Sequence, residues 1–289
     1  MADSLPKKFC DAPATLVNDS IDGLVKSSGG TLKRIDGYDR AIRVVVRADY
    51  EENVKNANRV ALVTGGGSGH EPAHAGFLGQ GMLTAAVCGD VFASPTVDAV
   101  LAAIKTVTGP AGCLLIIKNY TGDRLNFGLA AEKARSLYGL KVSAVVAADD
   151  TALPDAAHPR GTAGTVFVHR FAGKLAEEGK SLEEILERTA AYERGIVSVG
   201  ASLTTCSLPG VAKDTRLDGA EYELGLGIHG EPGAAKLPLE PATAVLDRMV
   251  AVLVAGAAAR NLALPSTEFT LLVNNLGGVP PIEMTFLSG

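Results

Sequence analysis

Four glycines stand within five residues in Gly65-Gly66-Gly67-Ser68-Gly69, directly after the apolar run Arg59–Thr64. Val60, Leu62 and Val63 in that run read as a short buried strand. The glycines then let the backbone turn sharply and approach a ligand closely. His70-Glu71-Pro72 follows, with Pro72 suited to the first turn of a helix. A strand, a glycine turn and a helix N-terminus make a cradle for a small polar ligand. The plainer alternative is a tight turn whose histidine caps a helix.

The rest of the chain repeats the strand–helix alternation. Val17–Val25 reads as a short amphipathic helix, Ala41–Val46 as a β-branched strand, and Leu83–Val87 as a third strand. Pro95 opens a helix over Thr96–Lys105. The apolar hexamer Gly112–Ile117 then reads as a parallel strand covered on both faces. It ends in Lys118-Asn119-Tyr120-Thr121-Gly122-Asp123, before a helical spacing over Phe127–Tyr138 and a strand over Val142–Ala147. Two helices, Thr165–Gly179 and Ser181–Glu193, follow a loop over 151–163, with Ser181 and Glu184 spaced as a capping box. Ile196–Leu203 starts a second part, with a strand at Tyr222–Gly227, a helix at Thr243–Asn261, a strand at Phe269–Val273 and a last helix within Pro281–Leu287. The expected class is α/β: two α/β domains with largely parallel sheets, over 1–194 and 195–289, the second incomplete.

Composition removes several functions. Aromatic residues make up 5% and tryptophan is absent, a poor endowment for stacking single-stranded nucleic acid. A net charge of −5 without a long single-sign run argues against binding a phosphate backbone. Cys10, Cys88, Cys113 and Cys206 lie far apart, which fits reduced thiols in a cytoplasmic compartment better than structural zinc or a disulfide framework. Met1-Ala2-Asp3-Ser4 lacks the basic-then-apolar pattern of a signal peptide. The apolar run Met249–Ala259 is about half of what a bilayer crossing needs, so no membrane association is expected.

The chemistry-bearing residues fall at strand ends. Residues 65–72 lack the spacing and lysine of a P-loop, and Pro72 takes the place of the third glycine of a dinucleotide fingerprint. Gly225-Leu226-Gly227-Ile228-His229-Gly230 does match that fingerprint and would predict NAD binding, but Glu231-Pro232-Gly233 delays any helix. His70 and His229 each follow a strand-to-glycine transition, one in each expected domain, and clefts between domains are favoured ligand sites. Lys118 can hydrogen-bond a substrate oxygen, and Asp123 can accept a hydroxyl proton or cap the helix after it. His74 stands one helical turn after His70, which makes a two-histidine metal site conceivable, but no third ligand is evident and no metal is expected. Asp149-Asp150 ends a strand.

Gly65–Pro72, Gly81–Pro95, Lys118–Phe127 and Gly225–Gly233 together resemble, in the same order, the substrate-binding K region of the dihydroxyacetone (glycerone) kinase family. Arg124–Arg135 and His158–Thr165 look closer to its single-chain, ATP-dependent members. The resemblance implies that His229 adds to the ketone carbonyl as a covalent hemiaminal, that Asp123 accepts the proton of the hydroxyl being phosphorylated, and that His70 assists as acid–base. It implies a backbone cradle at Gly67, Ser68 and Gly69, and a lysine, Lys118, on a substrate oxygen. The substrate is then dihydroxyacetone, with glyceraldehyde a second candidate, and the protein a cytoplasmic homodimer. No Asp-Gly-Asp-x-Gly motif appears, and the K region is shortened after Asn274–Gly278. ATP and Mg2+ would therefore be held by a separate nucleotide-binding (L-type) domain or subunit, and this chain alone would not transfer phosphate. Some relatives are regulators of transcription, so a catalytically silent ketone-binding protein is the alternative.

Overall fold

A computed structural model describes residues 8–212, 214–217, 219–262 and 268–289. The N-terminal Met1-Ala2-Asp3-Ser4 lies outside them. The chain divides into two compact units, one of residues 9–147 with 165–193, the other containing 148–164 and 194–289.

The first unit opens with α1 (Leu16–Ser27), then β1 (Leu32–Arg34), β2 (Val44–Arg47), β3 (Ala61–Ser68) and β4 (Ala85–Val91). It continues through α2 (Val97–Val107), β5 (Cys113–Lys118), α3 (Thr121–Tyr138), β6 (Val142–Ala147), α4 (Thr165–Glu177) and α5 (Leu182–Glu193). Six strands form one sheet in the order β1-β2-β4-β3-β5-β6. The β4-β3-β5-β6 part is parallel, and β2 and β1 join antiparallel at one side. This is the expected mostly parallel α/β sheet. The chain leaves β3 toward β4 and returns through α2 to β5 on the other side, so the carboxyl ends of β3 and β5 flank a switch point, where such sheets bind ligands.

The strands form where the apolar runs predict because both faces are covered. Val63, Val87, Leu115 and Ile117 pack with Ile104 of α2 and Phe127 of α3 on one face. Val45 and Ala86 meet Val17 and Ile21 of α1 on the other, where α4 and α5 also pack. Thr96 caps α2, its hydroxyl accepting the Ala99 N–H at 3.2 Å. Ser181 accepts the Glu184 N–H at the start of α5.

The glycine segment differs from its expected form. Gly65, Gly66 and Gly67 do not turn; they continue β3 to Ser68. A Cβ on Gly65 would run into the Val87 carbonyl, and one on Gly67 would lie 2.6 Å from the Ala93 nitrogen, so glycine here permits close approach to β4 and the loop after it. The turn comes at Gly69, whose φ is +101°. No α-helix follows Pro72; a single 3-10 turn, Ala75–Phe77, takes its place.

The second unit holds β7 (Ala201–Ser202), β8 (Glu221–Leu224), β9 (Ala235–Pro238), α6 (Ala242–Ala259) and α7 (Pro281–Ser288). Its three strands pair antiparallel, unlike the parallel sheet expected there. Phe269–Val273 joins no strand, and its Phe269, Leu271, Leu272 and Val273 are exposed. The apolar helix is longer than Met249–Ala259: α6 has 18 residues and is, by length and composition alone, apolar enough to cross a membrane. Asp149 is structural, accepting from the Thr162 and Gly164 N–H groups at 2.8 and 2.9 Å and from the Ser198 hydroxyl at 2.6 Å. Asp150 pairs with Arg160 at 2.6 Å.

Candidate functional site

In the first unit the site stands at the carboxyl ends of β3 and β5. Lys118 is the last residue of β5 and Asp123 lies in the first turn of α3; both are buried. Because α3 starts at Thr121, with Tyr120 in the cap position, Asp123 is the third helical residue and not the cap its sequence position suggested. A carboxylate there is favoured by the helix dipole.

Gly66 locates the centre. A Cβ built on it would lie 3.8 Å from Asp123 Oδ2, from Lys118 Cε and from His74 Nε2, so all three side chains line one small space that a bare glycine leaves open. An acid, a cation and an imidazole over backbone suit a small, oxygen-rich ligand. His70 stacks on Phe92, ring centroids 4.7 Å apart and planes at 16°. Ser68 turns its hydroxyl away, donating to the Gly89 carbonyl at 2.9 Å, and the Gly69 N–H donates to the Glu71 carboxylate at 2.9 Å. Of the expected cradle, the Gly69 donor is thus already engaged within the loop.

His74 was expected on a helix beside His70. It lies instead on the turn after Pro72, with its Nδ1 3.1 Å from His169 Nε2 on α4. Burial drives the His74 imidazole well below its ordinary range, and the nearby Lys118 ammonium adds to it. Burial, with Lys118 again second, pushes His169 down to about 3. Both rings are therefore neutral at neutral pH. Among the described residues, no three His, Cys, Asp or Glu side chains group as a metal site. His169 carried one sequence signal: it falls on the apolar face of α4 with Val168, Ala172 and Leu175.

His229 belongs to the second unit, in the loop after β8. Its Nδ1 lies 2.8 Å from Glu231 Oε1, and its backbone N–H donates to Glu231 Oε2 at 2.9 Å. Burial works to raise the Glu231 carboxyl, but the hydrogen bonds from the His229 ring and the loop N–H groups outweigh it and hold the group down at about 2. A carboxylate facing Nδ1 fixes the proton on that nitrogen and leaves a lone pair on Nε2. The loop is fastened by Arg160, which donates to the Gly225 carbonyl at 2.7 Å while paired with Asp150. The loop is no dinucleotide turn, since Gly225–Gly230 leads into β9 and not into a helix. In the sequence Glu231 stands out only as the residue before Pro232; its place beside His229 needed the loop's geometry.

The Dak1 domain family matches residues 22–289. A dihydroxyacetone kinase of Citrobacter freundii is 51% identical over 283 residues, 97% of this chain and 49% of that protein. A PTS-dependent dihydroxyacetone kinase 1, dihydroxyacetone-binding subunit DhaK, of Listeria innocua is 41% identical, covering 96% of this chain and 81% of that one. The crystal structure of the native C. freundii kinase superposes with a TM-score of 0.90 at 49% identity, over 98% of this chain and 50% of that chain. The dihydroxyacetone kinase operon co-activator Dha-DhaQ superposes with a TM-score of 0.76 at 31% identity, over 85% of this chain and 73% of that one. The chain spans about half the length of the C. freundii relative it matches. It belongs to the Dak1 domain family.

Proposed function

We propose that this chain is the ketone-binding K region of a dihydroxyacetone kinase, presenting dihydroxyacetone, and in second place glyceraldehyde, for phosphorylation to dihydroxyacetone phosphate. The observation that carries the reading is the convergence of Asp123 and Lys118 over Gly66, in a chain 51% identical to a dihydroxyacetone kinase.

The roles follow from side-chain chemistry. The His229 Nε2 lone pair attacks the ketone carbon; an N–C bond forms, the C=O π pair moves to oxygen, and that oxygen takes a proton. The imidazole must in turn lose its Nδ1 proton, which faces the Glu231 carboxylate. A carboxylate there stabilises the positive ring through the addition. The hemiaminal tether excludes glycerol, which has no carbonyl. Lys118 holds a substrate oxygen, Asp123 accepts the proton of the reacting hydroxyl, and His70 assists proton movement. Gly67, Ser68 and Gly69 supply backbone near the substrate.

ATP with Mg2+ belongs on an L-type nucleotide-binding domain or subunit, and the active assembly is a cytoplasmic homodimer acting with that partner. The described residues hold no acidic cluster fit for the metal, so no step here runs through it.

The likeness to a co-activator favours one second reading, a ketone-binding regulator without turnover. The test supplies a nucleotide-binding domain, ATP, Mg2+ and dihydroxyacetone, and measures dihydroxyacetone phosphate. Product formation that depends on this chain is expected. Ketone binding without any product would replace the kinase with the regulator.

A further inference from the structure

The His74–His169 pair is buried, titratable and unused by the mechanism above. We infer that His74 is a further substrate-contacting residue of this site, offering an Nε2–H to a ligand oxygen, and that His169 is the positioning residue that sets its tautomer. The inference rests on the ketone-binding reading and deepens it.

Two neutral imidazoles joined Nδ1 to Nε2 at 3.1 Å share one proton, which leaves two arrangements. In one, His74 Nδ1 donates to His169 Nε2. The His169 proton then sits on its Nδ1, which has no hydrogen-bond partner among the described residues, in a ring with no exposure at all. A buried N–H that nothing can meet is the costlier kind of orphan. In the other, His169 Nε2 donates to His74 Nδ1, and His74 carries its proton on Nε2. That nitrogen too has no partner among the described residues, but it borders the space over Gly66. Asp123 Oδ2 and Lys118 Cε line that same space, the two side chains to which the ketone-binding reading assigns the substrate. The second arrangement turns an orphan donor into a ligand donor; the first strands it in the core.

Burial and the Lys118 charge keep His74 from taking a second proton. It therefore acts as a neutral donor that polarises or holds an oxygen, as a neutral imidazole does in other carbonyl-processing sites. Charge on Lys118 and Asp123 can then stay constant while His74 supplies direction. His169 holds the ring from behind, its own ring tilted against Phe77 at a centroid distance of 6.2 Å.

The test is long-range 1H–15N spectroscopy of the 289-residue chain labelled with 15N-histidine, with and without dihydroxyacetone. The expected result is a His74 with bare Nδ1 and protonated Nε2 at neutral pH, whose Nε2 resonance moves when the ketone binds. His74→Phe should weaken dihydroxyacetone binding about 10-fold, the effect of one hydrogen bond. His74→Gln, which keeps a donor, should recover part of the loss. An Nδ1-protonated His74, or undiminished binding by His74→Phe, would overturn the assignment while leaving the ketone reading intact. No dihydroxyacetone binding by the wild-type chain would overturn that reading itself, and this inference with it.

Discussion

The two glycine-rich loops of this protein each place a histidine in a site, and they do so by opposite means. The segment after β3 buries His74 against a second imidazole and near Lys118, which lowers its tendency to charge. The loop after β8 sets His229, partly open to solvent, with its Nδ1 facing the Glu231 carboxylate. Burial disfavours the charged imidazole, whereas a carboxylate partner favours it and orients the ring. On the proposed function, the same side chain is thus divided between direction, at His74, and bond-making, at His229.

Several changes would break or sharpen that contrast. Removing the proposed proton acceptor has the largest expected effect. Asp123→Asn should lower dihydroxyacetone phosphate formation, measured with the nucleotide-binding partner, by about 10²–10⁴-fold, with ketone binding retained. Loss of binding instead would mean that Asp123 positions substrate and does no proton transfer.

Next comes the backbone contact that shapes the first loop. Gly65→Ala would press a methyl into the Val87 carbonyl and against Phe127, at a cost of about 1–3 kcal/mol in denaturant unfolding. An unchanged midpoint would contradict the close-approach account of these glycines.

In the second loop, Glu231→Gln keeps a partner for His229 Nδ1 but removes the charge. Equilibrium adduct formation should fall about 10-fold, the usual order for a lost partner that orients an imidazole. If yield is unchanged, the carboxylate is not what readies His229.

The last effect is on stability against pH. His74 and His169 are depressed in the folded state, so the unfolded chain takes up more protons below about pH 6.5. Their contribution is complete above that pH and is lost as pH falls from about 6.5 toward 3. Each histidine adds a slope of at most about 1.4 kcal/mol per pH unit. Glu231 and Asp49, both held at about 2, act in the same direction only below the ordinary carboxylate range. Unfolding between pH 6.5 and 5 therefore isolates the histidine pair, and His169→Gln should flatten that part of the curve.

Much of the first unit could be read from the sequence because local pattern and burial agree there. The hexamer ending at Ile117 is apolar throughout since helices cover both faces of β5, and Thr96 announces α2 through its own hydroxyl. Gly65–Gly67 misled for a non-local reason. Consecutive glycines read as a turn, whereas here they answer to a neighbouring strand that local pattern does not reveal. Phe269–Val273 looked like a strand by composition, yet it pairs with nothing among the described residues. A strand needs a neighbour as well as a propensity. His70, Lys118, Asp123 and His229 were legible as polar residues at the ends of apolar runs. The His74–His169 pair was not, because 95 residues separate its members and only the packing of α4 brings them together.

Ketone capture by His229 is the central claim, and intact-protein mass spectrometry under native conditions tests it most directly. With dihydroxyacetone present, the chain should gain the mass of one whole dihydroxyacetone, with no water lost, and His229→Ala should show no gain. No adduct on the wild-type chain, or an adduct that persists in His229→Ala, would contradict the account.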